Sequence, residues 1–145
     1  VATFTDINNS KNTINYLAIH TSPGDAVAEM NGLVDVYNKF AKEYSTDELI
    51  LAGDFNAGCS YVCKSCWTEV SLLTNQDFYW LVSSYANTTV ASSSCPYDRL
   101  VVVGDDMAKV VSRAEVFRYD ELWGVDSQTT KEVSDHYPLQ FEILL

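Results

Sequence analysis

The chain has 145 residues, 47% of them apolar and 12% aromatic, with a formal charge of −11. That is enough apolar material for one domain with a real core; it excludes a disordered composition, and the acidic balance argues against a basic groove for nucleic acid. No run of eighteen apolar residues occurs, so no membrane span is expected, and a phosphate substrate stays admissible because a divalent cation can invert the local field.

The opening VATFTDINNS has no basic start and no apolar h-region, and the chain lacks an initiator Met, so it reads as a mature piece or a fragment. INYLAIH (14–20) is apolar and β-favouring and predicts a strand ending at His20. In the next stretch Val27, Met30, Leu33, Val34, Tyr37, Phe40, Ala41 and Tyr44 recur at helical spacing. Ser22 to Asp25 predicts a capping box there, with Pro23 at the first helical position. ELILAGD (48–54) predicts a second strand. A helix between two strands suggests a parallel crossover, which puts His20 and Asp54 at neighbouring carboxyl ends, where open α/β sheets place ligands.

WTEVSLLTNQDFYWLV predicts a short helix and a strand, and SSYANTTVASSSCP a loop. Residues 97–103 predict a strand with Asp98 at its start. From 104 to 134 only AKVVSRAEVF is apolar, and the rest reads as loops and turns. HYPLQFEILL alternates, with Leu139, Phe141, Ile143 and Leu145 on one face, and predicts a last strand directly after Asp135 and His136. The four cysteines fall at 59, 63, 66 and 95. CKSC (63–66) fits a redox or zinc motif, but zinc would want a second close pair. Disulfides are favoured, and of the three pairings Cys59–Cys95 with Cys63–Cys66 is preferred. NNS at Asn8 and NTT at Asn87 are glycosylation sequons, which lean towards secretion.

Placing the last two strands antiparallel to the first two in one mixed sheet collects His20, Asp54, Asp98, Asp135 and His136 at one edge. Singly, each has an ordinary reading as a turn, cap or satisfied strand-end residue. Together they point to chemistry. Asp and Asn oxygens suit Mg²⁺ or Ca²⁺ better than zinc. Two histidines serve as general base and acid, and Asp98 is the candidate to orient His136. The set suits metal-assisted phosphodiester hydrolysis.

GDFNAGCSY, CPYDR and SDHYP, with AIHTSPGDAVAEMNGLVDVY ahead of them, resemble the deoxyribonuclease I branch of the endonuclease/exonuclease/phosphatase superfamily, in order and over nearly the whole chain. The resemblance implies an α/β fold: a mixed β-sheet with an outer helix layer, half of a four-layer α/β/β/α sandwich, with residues 1–145 as the carboxyl-terminal half of a catalytic domain. It implies a secreted endonuclease that uses Mg²⁺ or Mn²⁺, with Ca²⁺ a further candidate, on double-stranded DNA. His20 and His136 match catalytic histidines and Asp98 their orienting carboxylate. Asp54, Asn56 and Asp135 match metal and phosphate ligands, and Tyr61 and Tyr97 match residues lining the DNA-contacting surface. Cys59 and Cys95 match the family's main disulfide, while Cys63 and Cys66 have no counterpart in the vertebrate pattern.

The sequence also departs from that pattern. Where the family's structural calcium loop has an Asp, this chain has Asn87, followed by Thr89 and Ser93, which weakens the site. Two essential glutamates of the family lie in the other half, and Glu29, Glu43 and Glu48 do not replace them. The chain alone is therefore expected to be inactive, to expose an apolar sheet face and to need its missing half. The actin-contacting residues of the family also lie mostly in that half, so actin binding is not addressed by this chain. Two other readings remain: a phosphomonoesterase or sphingomyelinase of the same superfamily, and a non-catalytic binding module.

Overall fold

Alternation builds the first long strand of the computed structural model, which describes residues 1–144. In β2 (Thr13–His20), Asn15 and Leu17 are buried towards one face while Ile14 and Tyr16 turn to the other. Before it, β1 (Ala2–Thr5) forms an antiparallel hairpin partner. The polar turn Asp6–Asn12 joins them, with the Asn8 amide bonded to the Asp6 carboxylate. This short exposed strand was not expected from its sequence.

Helix α1 (Ala26–Tyr44) buries Ala26, Met30, Leu33 and Phe40, at the spacing of one helical stripe. It packs on Leu17, Leu49, Leu51, Val101 and Val103 of the sheet. The expected capping box is corrected: Ser22–Asp25 is a turn closed by the Asp25 amide on the Ser22 carbonyl, with Pro23 before Gly24, and the helix starts after Asp25 without a side-chain cap. Glu29 instead reaches back to the Ser22 amide at 3.2 Å. The helix ends at Ser45 in the left-handed conformation.

Strand β3 (Leu49–Asp54) lies parallel to β2, as the crossover reading expected. A 3₁₀ turn (Cys66–Glu69), α2 (Ser71–Thr74) and β4 (Phe78–Trp80) lead to β5 (Asp98–Val103), which is antiparallel to both β3 and β4. The five-stranded sheet has the order β1-β2-β3-β5-β4. It is a mixed α/β sheet with a helix layer on one face.

The remainder differs from expectation. Residues 104–134 hold α3 (Asp105–Val110), β6 (Glu115–Val116), α4 (Tyr119–Trp123) and α5 (Ser127–Val133), not only loops and turns. Asp126 caps α5 through its carboxylate, a signal visible in DSQTT. The last strand, β7 (Leu139–Gln140), is short and pairs with β6 in a separate ribbon, so it does not extend the main sheet. Leu139, Phe141 and Ile143 nonetheless pack as the alternation implied, over the sheet face that carries Ile50, Leu100 and Val102 (Leu145 lies outside the described residues). The exposed apolar face is corrected for the central strands, where Ile50 and Val102 are 0% exposed. It persists only towards β1 and β2, where Phe4 is 59% exposed. Among the described residues no helix is long and apolar enough to cross a membrane.

Candidate active site

Three neighbouring strands deliver one row of side chains. Strand pairing sets His20 opposite Asp54, and Asp54 opposite Asp98. The first two end parallel strands and the third begins an antiparallel one, so all three share an edge of the sheet.

His136 arrives from the segment between α5 and β7. That segment is held by a bridge between Thr89 and His136, by the Val90 amide on the Asp135 carbonyl and by the Tyr137 amide on the Thr88 carbonyl, each of these hydrogen bonds at 2.8 Å. Nδ1 of His136 lies 2.7 Å from Asp98 Oδ2. Its Nε2 lies 3.8 Å from Asp54 Oδ2, and His20 Nε2 lies 3.4 Å from the same oxygen. One carboxylate oxygen thus stands between two imidazoles. The Asp98 contact selects the tautomer with the proton on Nδ1 and leaves the Nε2 lone pair turned to the cleft.

The turn after β3 explains why an acid and an amide sit two positions apart. Asp54 Oδ1 accepts the Asn56 main-chain N–H at 2.8 Å, leaving Oδ2 for the histidines. Asn56 takes φ 46°, which an Asn tolerates, and its side-chain amide donates to the Thr21 carbonyl at 2.8 Å. Phe55 between them is wholly buried in the core. Gly53 has φ 139°, and a Cβ there would run into the Ile19 carbonyl of β2, so only glycine fits.

The Asp98 carboxyl is raised above its ordinary range by burial, against the opposing influence of the nearby Thr88 hydroxyl and of the His136 hydrogen bond. For His136, burial disfavours the charged ring, but the hydrogen bond to Asp98 and the charges of Asp98, Asp54 and Asp135 outweigh it, and the net direction is upward. His20 is open to solvent, its side chain 76% exposed.

The disulfide Cys59–Cys95 ties the loop after β3 to the segment before β5, and Cys63–Cys66 closes a local loop, the preferred pairing. Beside the first bridge Tyr61 and Tyr97 stack at 5.0 Å and 28°, and Tyr97 lies 6.3 Å from the His136 ring. Both histidines, all three carboxylates, Asn56 and both tyrosines line a single cleft of 610 Å³.

The ligand atoms of Asp54, Asp98 and His136 lie within 4.8 Å of one another, a group able to hold a metal ion. Asp135 lines the same cleft but stands outside that group, with an exposed side chain. Two carboxylates with an amide close by form an oxygen-rich set that fits a hard cation. The loop of Asn87, Thr89 and Ser93, the weak calcium candidate, brings no carboxylate of its own. The Thr89 hydroxyl lies 3.1 Å from Asn87 Oδ1 and 2.7 Å from the Ser93 carbonyl, so these neutral oxygens are engaged with one another and bring no charge.

Two residues that sequence reasoning passed over support the site. Arg99, 3% exposed, donates to the Ala57 and Ser83 carbonyls and lies over the Trp80 ring; a lone Arg inside an apolar strand was its signal. Thr88, 0% exposed, sits in a stretch that reads as polar loop and gave no signal.

No family model matches the chain. Among curated proteins it is 43% identical over 124 residues to Deoxyribonuclease-1 of Canis lupus familiaris and 41% identical over 124 residues to that of Homo sapiens, in each case covering 84% of this chain and 44% of the relative. Deoxyribonuclease gamma of Mus musculus is 40% identical over 128 residues, covering 86% of this chain and 41% of the relative. A solved structure, the endonuclease domain of TRAS1, a telomere-specific non-LTR retrotransposon, superposes with a TM-score of 0.60 at 17% identity, covering 92% of this chain and 58% of that one. At that identity the likeness is one of fold. The chain is thus similar in sequence to the deoxyribonuclease-1 proteins, and it spans less than half the length of those relatives.

Proposed function

We propose that residues 1–145 are the carboxyl-terminal half of a deoxyribonuclease I-like catalytic domain, and that the complete protein is a secreted, metal-dependent endonuclease hydrolysing phosphodiester bonds of double-stranded DNA. The observation that carries this reading is Asp54 Oδ2 set between the two imidazoles while Asp98 holds His136 at 2.7 Å. Two disulfides fit an oxidising compartment.

In this reading His136 accepts a proton from the attacking water at Nε2, with Asp98 fixing its ring and stabilising the imidazolium that forms. His20, across Asp54, hydrogen-bonds the phosphate and protonates the leaving oxygen. Asp54 and Asp98, with Asn56 close by and Asp135 lining the same cleft, would hold Mg²⁺ or Mn²⁺, which when bound supplies positive charge to the phosphate. The Tyr61–Tyr97 stack offers a flat wall for sugar and base, and compensates in part for an acidic surface.

The two glutamates that the family places in its other half are not supplied by this chain, so the isolated chain is inactive. Supercoiled-plasmid nicking with Mg²⁺, with and without EDTA, tests this on the chain alone and on the complete protein. Nicking by the complete protein only, abolished by EDTA, is expected. Nicking by the purified chain alone would refute the split of the site. Turnover of a phosphomonoester by the complete protein, with the plasmid intact, would move the assignment to another branch of the superfamily.

A further inference from the structure

We propose that Thr88 is a positioning residue for the Asp98–His136 pair, holding both partners through one buried side chain and its own main chain. The inference deepens the nuclease reading and rests on it for the catalytic consequence alone.

Asp98 and His136 are 38 positions apart, and no covalent link or shared strand pairing sets their 2.7 Å contact. Thr88 touches both segments. Its hydroxyl oxygen accepts the N–H of Tyr97 at 3.1 Å and of Asp98 at 3.2 Å, fixing the entry into β5. The hydroxyl donates to the Cys95 carbonyl at 3.2 Å, and the Thr88 amide reaches the same carbonyl at 3.1 Å. On the other side the Thr88 carbonyl accepts the N–H of Tyr137, the residue after His136, at 2.8 Å. The next residue, Thr89, forms the bridge to His136 itself.

The residue type follows from these contacts. An acceptor for two N–H groups and a donor for one carbonyl must occupy one site with no access to water, and a hydroxyl does both. Branching at Cβ restricts χ1 and holds the oxygen where both amides converge. Valine would fill the same volume and leave two amides facing a methyl group, so the start of β5 would shift to find other partners. A shift of a few tenths of an ångström there moves Asp98 Oδ2 off the Nδ1 proton, because a charged hydrogen bond this short has a narrow geometric tolerance.

The test uses the full natural protein that carries this chain, with ¹⁵N-labelled histidine, as wild type, Thr88→Ser and Thr88→Val, in EDTA. The Nδ1–H resonance of His136, assigned by its loss in His136→Gln, is expected far downfield in wild type and Thr88→Ser, and shifted upfield or broadened away in Thr88→Val. Plasmid nicking with Mg²⁺ is expected to show kcat reduced about tenfold in Thr88→Val with KM unchanged, and restored in Thr88→Ser. Should Thr88→Val fail to fold by circular dichroism, Thr88→Cys, similar in volume and a poor acceptor, is read in its place with the same expectation. An unaltered Nδ1–H signal in a folded variant without the hydroxyl overturns the proposal. A wild type that never nicks DNA defeats the nuclease reading instead, and the resonance still decides the role of Thr88.

Discussion

Asp54 and Asp98 face each other across the β3–β5 ladder, and that single pairing brings into one cleft an acid from the end of one strand and an acid from the start of another. Both are largely withdrawn from solvent, their side chains 18% and 14% exposed. Two carboxylates this close repel unless something positive joins them. In the chain the His136 ring lies 2.7 Å from Asp98 and 3.8 Å from Asp54, and their charges raise its affinity for a proton. Asp54 and Asp98 also belong to the group able to hold a metal ion, so a protonated ring and a cation would answer the same electrostatic demand.

Under the proposed nuclease reading, replacing His136 with Ala in the complete protein is expected to lower plasmid nicking by at least about a hundredfold, the scale of a lost general base. Asp98→Asn should produce a loss of similar order, because an amide presents its N–H or its oxygen indifferently to Nδ1 and no longer selects the tautomer. Circular dichroism should show both variants folded. Nicking at wild-type rate by folded His136→Ala would remove the residue from the mechanism.

Much of this edge was legible in the sequence because it is built from local signals. The run ILAGD, the helical stripe from Val27 to Tyr44 and the strand DRLVVV each announce themselves by period, and pairing brings their ends together. What was illegible lacks a period. Four exposed residues, Ala2–Thr5, gain strand geometry only from the neighbour they pair with. The short helices between 105 and 133 are single turns or little more, too brief to show a stripe. HYPLQFEILL shows its alternation, yet alternation fixes which side chains turn inward, not which strand they lie beside. Its residues cover the sheet face instead of extending the sheet. Thr88 was hidden for another reason: its role is made by contacts with residues seven to ten positions away and with Tyr137, which no local pattern encodes.

The two disulfides should differ in worth. Cys59–Cys95 spans a sequence separation of 36 and Cys63–Cys66 one of 3. Loop-closure entropy assigns about 4 kcal/mol to the long loop and about 2 kcal/mol to the short one. Urea unfolding of Cys59→Ser/Cys95→Ser and Cys63→Ser/Cys66→Ser double variants should reproduce that order, with the first also loosening the Tyr61–Tyr97 stack. Equal stability of the first variant and wild type under oxidising conditions would contradict the assignment.

The two sequons should also behave differently. Asn8 stands exposed in the β1–β2 turn, whereas the Asn87 side chain is half-buried and its oxygen accepts from the amide and hydroxyl of Thr89. On expression through a eukaryotic secretory pathway, treatment with a peptide N-glycosidase is expected to shift the gel mobility of wild type and Asn87→Gln, and to leave Asn8→Gln unmoved. A shift that persists in Asn8→Gln and vanishes in Asn87→Gln would mean the Asn87 loop opens before it folds.

Gly53→Ala is expected to lower stability by more than about 3 kcal/mol, combining an unfavourable positive φ with a collision against a neighbouring strand. The added Cβ would meet the Ile19 main chain, one residue before His20, so β2 and β3 must part at the site. Denaturant unfolding reads the loss directly. Amide exchange should accelerate most at Ile19 and His20, and a variant as stable as wild type would show that the close approach is relieved by a small backbone shift.

The pH dependence has opposite signs for stability and for activity. The His136 ring is held above its ordinary value of 6.5: burial acts downward, and the Asp98 hydrogen bond with the charges of Asp98, Asp54 and Asp135 prevails. A raised folded value means that the imidazolium stabilises the fold. That contribution is fully present below the unfolded value and is lost as pH rises through the folded one. Asp98, raised chiefly by burial, acts in the same direction at lower pH, and because the two groups touch, the steps belong to the pair. In EDTA, the urea midpoint should fall as pH is raised from about 6 to about 8, and His136→Asn should flatten that decline. In the proposed mechanism the general base must be the neutral ring, so nicking by the complete protein should climb as the ring deprotonates. A wild-type midpoint that stays level while His136→Asn declines would reverse the sign and place an uncharged imidazole in the folded state throughout.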